Sequence, residues 1–114
     1  MALIIQKYGG TSVANSERVK EVAKRVLKYK KNGHDVVVVV SAPAGMTDNL
    51  VKNACEISKN PNKRELDMLL TTGEQISAAL LSMAVNELGE SAISFGFKSQ
   101  SVYNSFGFNF PLCK

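Results

Sequence analysis

The sequence predicts an α/β fold in which a parallel sheet lies between two layers of helices, a three-layer αβα sandwich. Two apolar segments, 3–7 and 35–41, are typical of strands, and an amphipathic helix separates them. A strand, a helix and a strand in this order form parallel strands with a right-handed crossover. The second strand contains five consecutive valines, which indicates a central strand buried on both faces. We expect a third short strand at 91–95.

The helix between the first two strands has end signals on both sides. Asn15 or Ser16 can cap its first turn, and Asn32-Gly33 supplies the left-handed residue that ends it. Apolar residues spaced three and four positions apart predict its buried face: Val19, Val22, Ala23, Val26 and Leu27.

The net charge of +4 raises the question of nucleic-acid binding. Half of the basic residues lie on this one helix: Arg18, Lys20, Lys24, Arg25, Lys28, Lys30 and Lys31. We interpret them as the solvated face of an amphipathic helix, because no aromatic platform for stacking bases is interleaved with them. We therefore expect no nucleic-acid partner.

Helical patterns continue after the second strand. Thr47 or Asp48 can cap a helix that 60–62 interrupts, and Gly73 separates a second helical stretch from a third, which starts near Glu74. The third stretch is expected to turn four side chains toward the core: Ile76, Leu80, Met83 and Ala84.

The composition fits one small domain or a part of a larger one, since 45% of the 114 residues are apolar. No segment reaches the roughly 18 consecutive apolar residues of a membrane span, and the start has no signal-peptide pattern. We expect a cytoplasmic protein without a membrane partner. Cys55 and Cys113 lack metal-ligand spacing. We expect no metal site, and both thiols reduced.

The first strand ends in Lys-Tyr-Gly-Gly-Thr-Ser, which is suited to binding phosphate. The strand fixes the position of Lys7, and Gly9 and Gly10 allow backbone N–H groups to approach an anion closely. The lysine precedes the glycines, so the segment is neither a Walker A loop nor a dinucleotide-binding G-x-G-x-x-G loop. A tight turn beside a surface lysine is the structural alternative.

Three blocks taken together resemble the signature segments of the aspartokinase family, within the amino acid kinase superfamily. They are Lys-Tyr-Gly-Gly-Thr-Ser-Val at 7–13, the strand end at 39–42 with Met-Thr-Asp-Asn-Leu at 46–50, and Leu-Thr-Thr-Gly-Glu-Gln-Ile-Ser at 70–77. Their order and separations are also similar. The resemblance implies the amino acid kinase fold, which is like that of carbamate kinase.

The resemblance also implies an activity. Aspartokinases transfer the γ-phosphoryl group of ATP to the side-chain carboxylate of L-aspartate, giving 4-phospho-L-aspartate for lysine, threonine and methionine biosynthesis. By resemblance Lys7, Tyr8, Gly9 and Gly10 contact ATP. Lys7 is then also catalytic, as a fixed cation on the transferred group. Mg²⁺ accompanying ATP would reduce the remaining repulsion between the two anionic reactants.

The same resemblance places Thr47 and Glu74 in contact with aspartate, with Ser41 as a further contact. An amino acid substrate presents an ammonium group, which a carboxylate can pair, and carboxylates, which hydroxyl and N–H donors can bind. Each residue also has a structural alternative. Thr47 can be a helix cap, Ser41 a turn residue, and Glu74 an acidic residue in the first turn of a helix.

We expect 1–96 to be the N-terminal part of an amino acid kinase domain and 97–114 to be a divergent, poorly ordered tail. All five phenylalanines lie from Phe95 onward, in a Ser/Asn/Gly-rich setting that departs from the family pattern. This change resembles a truncated or frameshifted product without the regulatory domains through which the family usually forms homo-oligomers.

Two alternatives to an aspartate kinase remain. One is a non-catalytic remnant or binding module of the same fold. The other is a different amino acid kinase, such as a glutamate or acetylglutamate kinase, against which the Thr-Thr-Gly-Glu-Gln segment argues.

Overall fold

The computed structural model describes residues 2–95. In chain order the elements are β1 (Leu3–Tyr8), a short 3-10 helix (Gly10–Val13), α1 (Ser16–Lys31), β2 (Asp35–Val40), α2 (Met46–Ile57) and α3 (Lys63–Glu87). The two strands pair in parallel, with Leu3 opposite Asp35 and Tyr8 opposite Val40. The α/β class and the β1–α1–β2 crossover unit are therefore as predicted.

The predicted ends of α1 are confirmed. The side chain of Asn15 accepts a hydrogen bond from the backbone N–H of Arg18, which caps the first turn. After Asn32, Gly33 has a φ of +87°, a left-handed conformation that glycine adopts without strain. Most of the predicted apolar face is buried: Val19, Val22, Ala23 and Val26.

One face of the sheet packs against α1 and α3. Alternate strand residues, among them Tyr8, Val36 and Val38, contact a buried cluster that includes Val22 of α1 and Leu81 of α3. Because successive side chains of a strand point to opposite faces, the other residues lie on the far side of the sheet. The described residues thus form two layers of the expected sandwich.

The far face of the sheet is open. Val37 and Val39 are 48% and 45% exposed, and Leu3 and Ile5 beside them are also exposed. The expectation that the second strand is buried on both faces is therefore wrong for the described residues. The five valines suit a strand that is covered on both faces. In the described residues α1 and α3 cover only one face.

The expected third strand at 91–95 is also wrong. These residues have no strand conformation, and Ile93 and Phe95 are exposed. A strand needs a partner edge for its backbone hydrogen bonds, and in the described residues the sheet consists of β1 and β2 alone.

The start of α2 differs from both predicted caps. The helix begins at Met46, and Gly45 before it has a φ of +83°. The left-handed glycine turns the chain into the helix directly, so Thr47 and Asp48 lie inside the first turn.

Cys55 of α2 is disulfide-bonded, which contradicts the expected reduced thiol. Composition and spacing do not show which thiols meet in a folded chain.

The two helical stretches predicted on either side of Gly73 form one helix. Asn62 caps it by accepting hydrogen bonds from the N–H groups of Arg64 and Glu65, which agrees with the predicted interruption before it. The hydroxyls of Thr71 and Thr72 donate hydrogen bonds to the carbonyl oxygens three residues earlier, at 2.8 and 2.6 Å. Both hydroxyls therefore have a hydrogen-bond partner within the helix. The Thr-Thr-Gly segment therefore does not break α3.

The buried face of α3 also differs from the prediction. The side chains that face the core are Leu70, Thr71, Ser77, Leu81 and Val85, together with Gly73. Ile76, Leu80 and Met83 are exposed, although we expected them inside, and Met83 is 64% exposed. Apolar residues occupy both sides of α3, so periodicity alone could not select the packed side.

In the described residues α3 is the one helix long and apolar enough to cross a membrane, a test that core helices of soluble proteins also pass.

Candidate active site

The loops that follow the two strands meet at the carboxyl end of the sheet. The N–H of Ser41 donates to the carbonyl oxygen of Tyr8 at 3.2 Å, which extends the pairing of the strands by one step. Beyond it, the N–H of Ala44 donates to the carbonyl oxygen of Gly10 at 3.1 Å. In open parallel sheets, ligands bind outside this end of the strands.

The middle of α3 reaches the same place. A methyl group added to Gly73 would lie 2.8 Å from the Cβ of Ala42 and 3.3 Å from the sulfur of Met46. A methyl group added to Gly10 would lie 2.7 Å from the carbonyl oxygen of Ala42. Real Cβ atoms do not approach other atoms this closely, so both glycines are required for the observed packing. The three blocks of the sequence resemblance are thus in contact through Ala42.

Lys7 is the penultimate residue of β1, on the open face of the sheet, and its side chain is exposed. Gly9 lies between the strand and the 3-10 helix, and a methyl group there would meet nothing within 4 Å. The loop backbone at Gly9 is therefore accessible from outside. A strand-fixed ammonium beside an accessible glycine loop can bind an anionic group.

Tyr8 has a different environment. Its side chain packs against the helix layer, and its hydroxyl donates to the side-chain oxygen of Gln6 at 2.8 Å. Burial raises the pKa of the Tyr8 phenol above its ordinary value of 10.0; Arg25 nearby partly opposes this and Tyr29 adds to it. The backbone of Tyr8 lies at the candidate site, whereas its side chain belongs to the packing between sheet and helices.

The residues expected to contact aspartate lie on the neighbouring segments. Ser41 directly follows β2, Thr47 is the second residue of α2, and Glu74 follows Gly73 within α3, all three half-buried. Gly45, not Thr47, occupies the cap position of α2. Glu74 is far from the first turn of α3. The structural alternatives of a helix cap and a first-turn acid therefore do not apply to these two residues.

Sequence reasoning missed Ala42 and Met46, and it interpreted Gly73 as a helix break. The available signal was a glycine between strong helix formers, which is unfavourable within a helix and often indicates close packing there. What the glycine packs against depends on contacts between distant segments, which the local sequence does not contain.

The described residues do not assemble a protein metal site, since no group of three His, Cys, Asp or Glu side chains among them could hold an ion. Proteins commonly bind the Mg²⁺ of ATP through substrate phosphates and one or two carboxylates. The described part of the chain therefore does not by itself fit a complete magnesium site.

A shallow cleft of about 450 Å³ lies beside β1, and its lining includes Gln6, Lys7, Arg25, Lys28 and Tyr29. Lys7 lines this cleft, but Gly10, Ala42 and Gly73 of the junction do not. The junction is the better candidate site, because the segments that carry the predicted residues contact one another there.

A parallel unit with two glycine-bearing loops in contact at the carboxyl end of its strands is typical of α/β proteins, which bind ligands outside that end of the sheet. Residues 2–106 match the amino acid kinase family, and the chain belongs to this family. The predicted fold class is thereby confirmed.

Relatives with high sequence identity include aspartokinases, as the resemblance predicted. The chain is 61% identical over 95 residues to the aspartokinase of Bacillus sp. (strain MGA3), covering 83% of this chain and 23% of that protein. The crystal structure of aspartate kinase from Synechocystis matches with a TM-score of 0.78 and 54% identity, over 80% of this chain and 16% of that one. E. coli aspartokinase III in complex with aspartate and ADP (R-state) matches with a TM-score of 0.62 over 75% of this chain and 29% of that one. At 20% identity the last match shows the fold alone.

The chain spans about a quarter of the length of the curated relatives that it matches. The family match continues to residue 106, past the boundary expected at 96. The segment 97–114 lies outside the described residues, so its assignment as a divergent tail stays a prediction.

Proposed function

We propose that this chain is the substrate-binding N-terminal part of an aspartate kinase, the enzyme that phosphorylates the side-chain carboxylate of L-aspartate with ATP. The observation that carries the proposal is the contact of the three family segments through Ala42 at the carboxyl end of the sheet. The names of the relatives support the choice of aspartate over other amino acids.

In the proposed reaction an oxygen of the aspartate side-chain carboxylate attacks the γ-phosphorus of ATP. A P–O bond forms to the carboxylate while the bond to the β-phosphate oxygen breaks, and the products are 4-phospho-L-aspartate and ADP. Both reactants are anions, so catalysis consists mainly of positioning and charge stabilisation. When Mg²⁺ is bound with ATP, it supplies part of that charge.

The ATP side of the site is assigned to the loop after β1. Lys7 places a positive charge where the phosphoryl group is transferred, and the backbone of Tyr8, Gly9 and Gly10 lies against the phosphates. The exposure of Lys7 and the open space around Gly9 support this assignment. A charge held by a paired strand needs little reorganisation during the reaction.

The aspartate side is assigned to the two segments that pack on Ala42. Glu74 pairs with the substrate ammonium group, and Thr47 and Ser41 donate hydrogen bonds to its carboxylates. The positions of Thr47 beside Met46 and of Glu74 beside Gly73 support this assignment, because Met46 and Gly73 approach each other closely. By the same resemblance we propose a cytoplasmic location; within the family, homo-oligomers usually form through the regulatory domains.

The test is an ATP-dependent assay with L-aspartate, in which ADP release is measured and the acyl phosphate is trapped with hydroxylamine. Aspartate-dependent ADP release with trapped aspartyl product is the expected result. Binding of ATP and aspartate without turnover would favour the non-catalytic binding module. Phosphorylation of glutamate or acetylglutamate instead of aspartate would favour another amino acid kinase. No binding of either substrate would overturn the proposal.

A further inference from the structure

We propose that Gly73 is a positioning residue, which together with Ala42 sets the spacing between the ATP loop and the residues that hold aspartate. This inference rests on the proposed function, because the two sides of the site are those assigned above. Gly73 itself has no side chain to contact a substrate. It acts through α3, because it determines the distance between this helix and the loop after β2.

The contact at Gly73 is tighter than any other residue would allow. A Cβ at this position would lie 2.8 Å from the Cβ of Ala42 and 3.3 Å from the sulfur of Met46. Methyl carbons in contact are normally about 3.5–4.0 Å apart, so an alanine here would push α3 and the loop apart by about 1 Å. The side chain of Met46 is flexible and can move, but the Cβ of Ala42 is fixed to the backbone.

A local role in the helix does not explain Gly73, because glycine is, after proline, the least favourable residue inside a helix. Gly73 is buried in the middle of α3, with helical residues for ten positions before it and fourteen after it. Its φ is not in the left-handed region, so backbone conformation does not require glycine either. Close approach to Ala42 is the feature that only glycine permits.

Ala42 transmits the contact to the ATP side of the site. It is 7% exposed, and its carbonyl oxygen lies 2.7 Å from where a Cβ of Gly10 would stand. The hydrogen bond from Ala44 to Gly10, at 3.1 Å, holds the same two loops together. Ala42 is therefore packed between Gly10 and Gly73, and a displacement of α3 from Ala42 changes the distance from Glu74 to the loop that follows Lys7 and Tyr8.

Such a displacement affects phosphoryl transfer and aspartate binding more than ATP binding. ATP keeps its own contacts when α3 moves, but Glu74 moves away from Ser41 and Thr47, and the carboxylate no longer lies in line with the γ-phosphorus. A misplacement of about 1 Å can reduce a rate by about 10²-fold. The change should therefore appear in kcat and in the KM for aspartate, whereas the KM for ATP changes less.

The test adds a methyl group at position 73 and then removes the opposing methyl group at position 42. Gly73→Ala is expected to lower kcat by about 10²-fold. Adding Ala42→Gly to Gly73→Ala removes the opposing methyl group and should restore kcat to within about tenfold of the unmodified protein. Thr72→Ala, an exposed change one position earlier in α3, serves as the control for general effects on the helix. Far-UV circular dichroism confirms that each variant is folded.

Two activity results would overturn the proposal: unchanged kcat in Gly73→Ala, or a folded double variant no more active than Gly73→Ala. If the unmodified protein binds neither ATP nor aspartate, the proposed function fails, and hydrogen exchange still tests the spacing. The Ala44 amide, which donates to Gly10, should exchange faster in Gly73→Ala and return to its original rate in the double variant. Equal exchange of this amide in all three proteins would overturn the inference independently of activity.

Discussion

Lys7 lies directly opposite Val39 in the parallel pairing of β1 and β2, on the face of the sheet that α1 and α3 do not cover. Val39 is half exposed there, and none of the ion pairs found among the described residues involves Lys7. The ammonium group is thus anchored by a paired strand while its charge is available to an anionic substrate. This relationship makes Lys7 the first residue to test.

Replacing Lys7 with alanine should lower the turnover of an active aspartate kinase by at least about 10²-fold, because a fixed charge matters most where negative charge develops during transfer. Steady-state kinetics with both substrates varied measure the effect. Lys24→Ala is the matched control, since it removes the same charge from an exposed pair with Glu21. A raised KM for ATP at normal turnover would show that Lys7 contributes to binding alone.

Replacing Glu74 with glutamine should weaken aspartate binding selectively. The change keeps the shape of the side chain and removes the charge that pairs with the substrate ammonium, which costs on the order of 2–5 kcal/mol in a desolvated contact. Separate titrations with aspartate and with ATP measure the effect, and Glu65→Gln in the first turn of α3 is the control. Weaker ATP binding with normal aspartate affinity would mean that the two ligands have been assigned to the wrong segments.

Replacing Tyr8 with phenylalanine should lower the free energy of unfolding by about 1 kcal/mol at neutral pH, through loss of the bond to Gln6. Because burial raises the pKa of Tyr8 in the folded chain, the unfolded chain loses this proton first as pH rises past about 10. The stabilisation is present below pH 10 and is lost as pH rises through the folded pKa.

Urea unfolding of both proteins between pH 7 and 11 tests this linkage. The difference in stability between the two proteins should be constant up to about pH 9 and shrink above pH 10. A difference that grows with pH would contradict the burial of the Tyr8 phenol.

Threonine substitutions at neighbouring valines of β2 should have unequal effects on stability. Val38 packs against the helix layer, so a hydroxyl there should cost about 1–3 kcal/mol of folding free energy. Val37 lies on the open face, where the same change should cost less than about 0.5 kcal/mol and reduce the binding of an apolar fluorescent dye. Urea unfolding and dye fluorescence measure the two effects. Equal destabilisation by both changes would show that both faces of the sheet are covered.

Local signals predicted the local structure well. The cap at Asn15, the left-handed Gly33 and the buried stripe of α1 all depend on neighbouring residues, and the structure confirms them. The same reasoning failed where distant segments decide the outcome. The continuity of α3 through Gly73 depends on packing against Ala42, and the buried side of α3 depends on where α1 lies.

The sequence predicted only part of the candidate site, because the rest depends on contacts between distant segments. The sequence blocks identified which segments carry the site, and the structure brings those segments into contact at Ala42. The roles of Lys7, Ser41, Thr47 and Glu74 stay predictions, because their chemistry depends on bound substrates. The packing residues Ala42 and Met46 have no chemical signature, so only the three-dimensional arrangement could identify them.

The parallel pairing of β1 and β2 also determines the order in which the chain can fold. Leu3 and Asp35 are opposite each other although more than thirty residues separate them, so the first ladder hydrogen bond requires a long loop to close. Formation of α1 shortens that loop, because a helix rises only about 1.5 Å per residue. The sheet should therefore assemble after α1 during folding, and substitutions that weaken the Asn15 cap should slow the folding rate as well as lower stability.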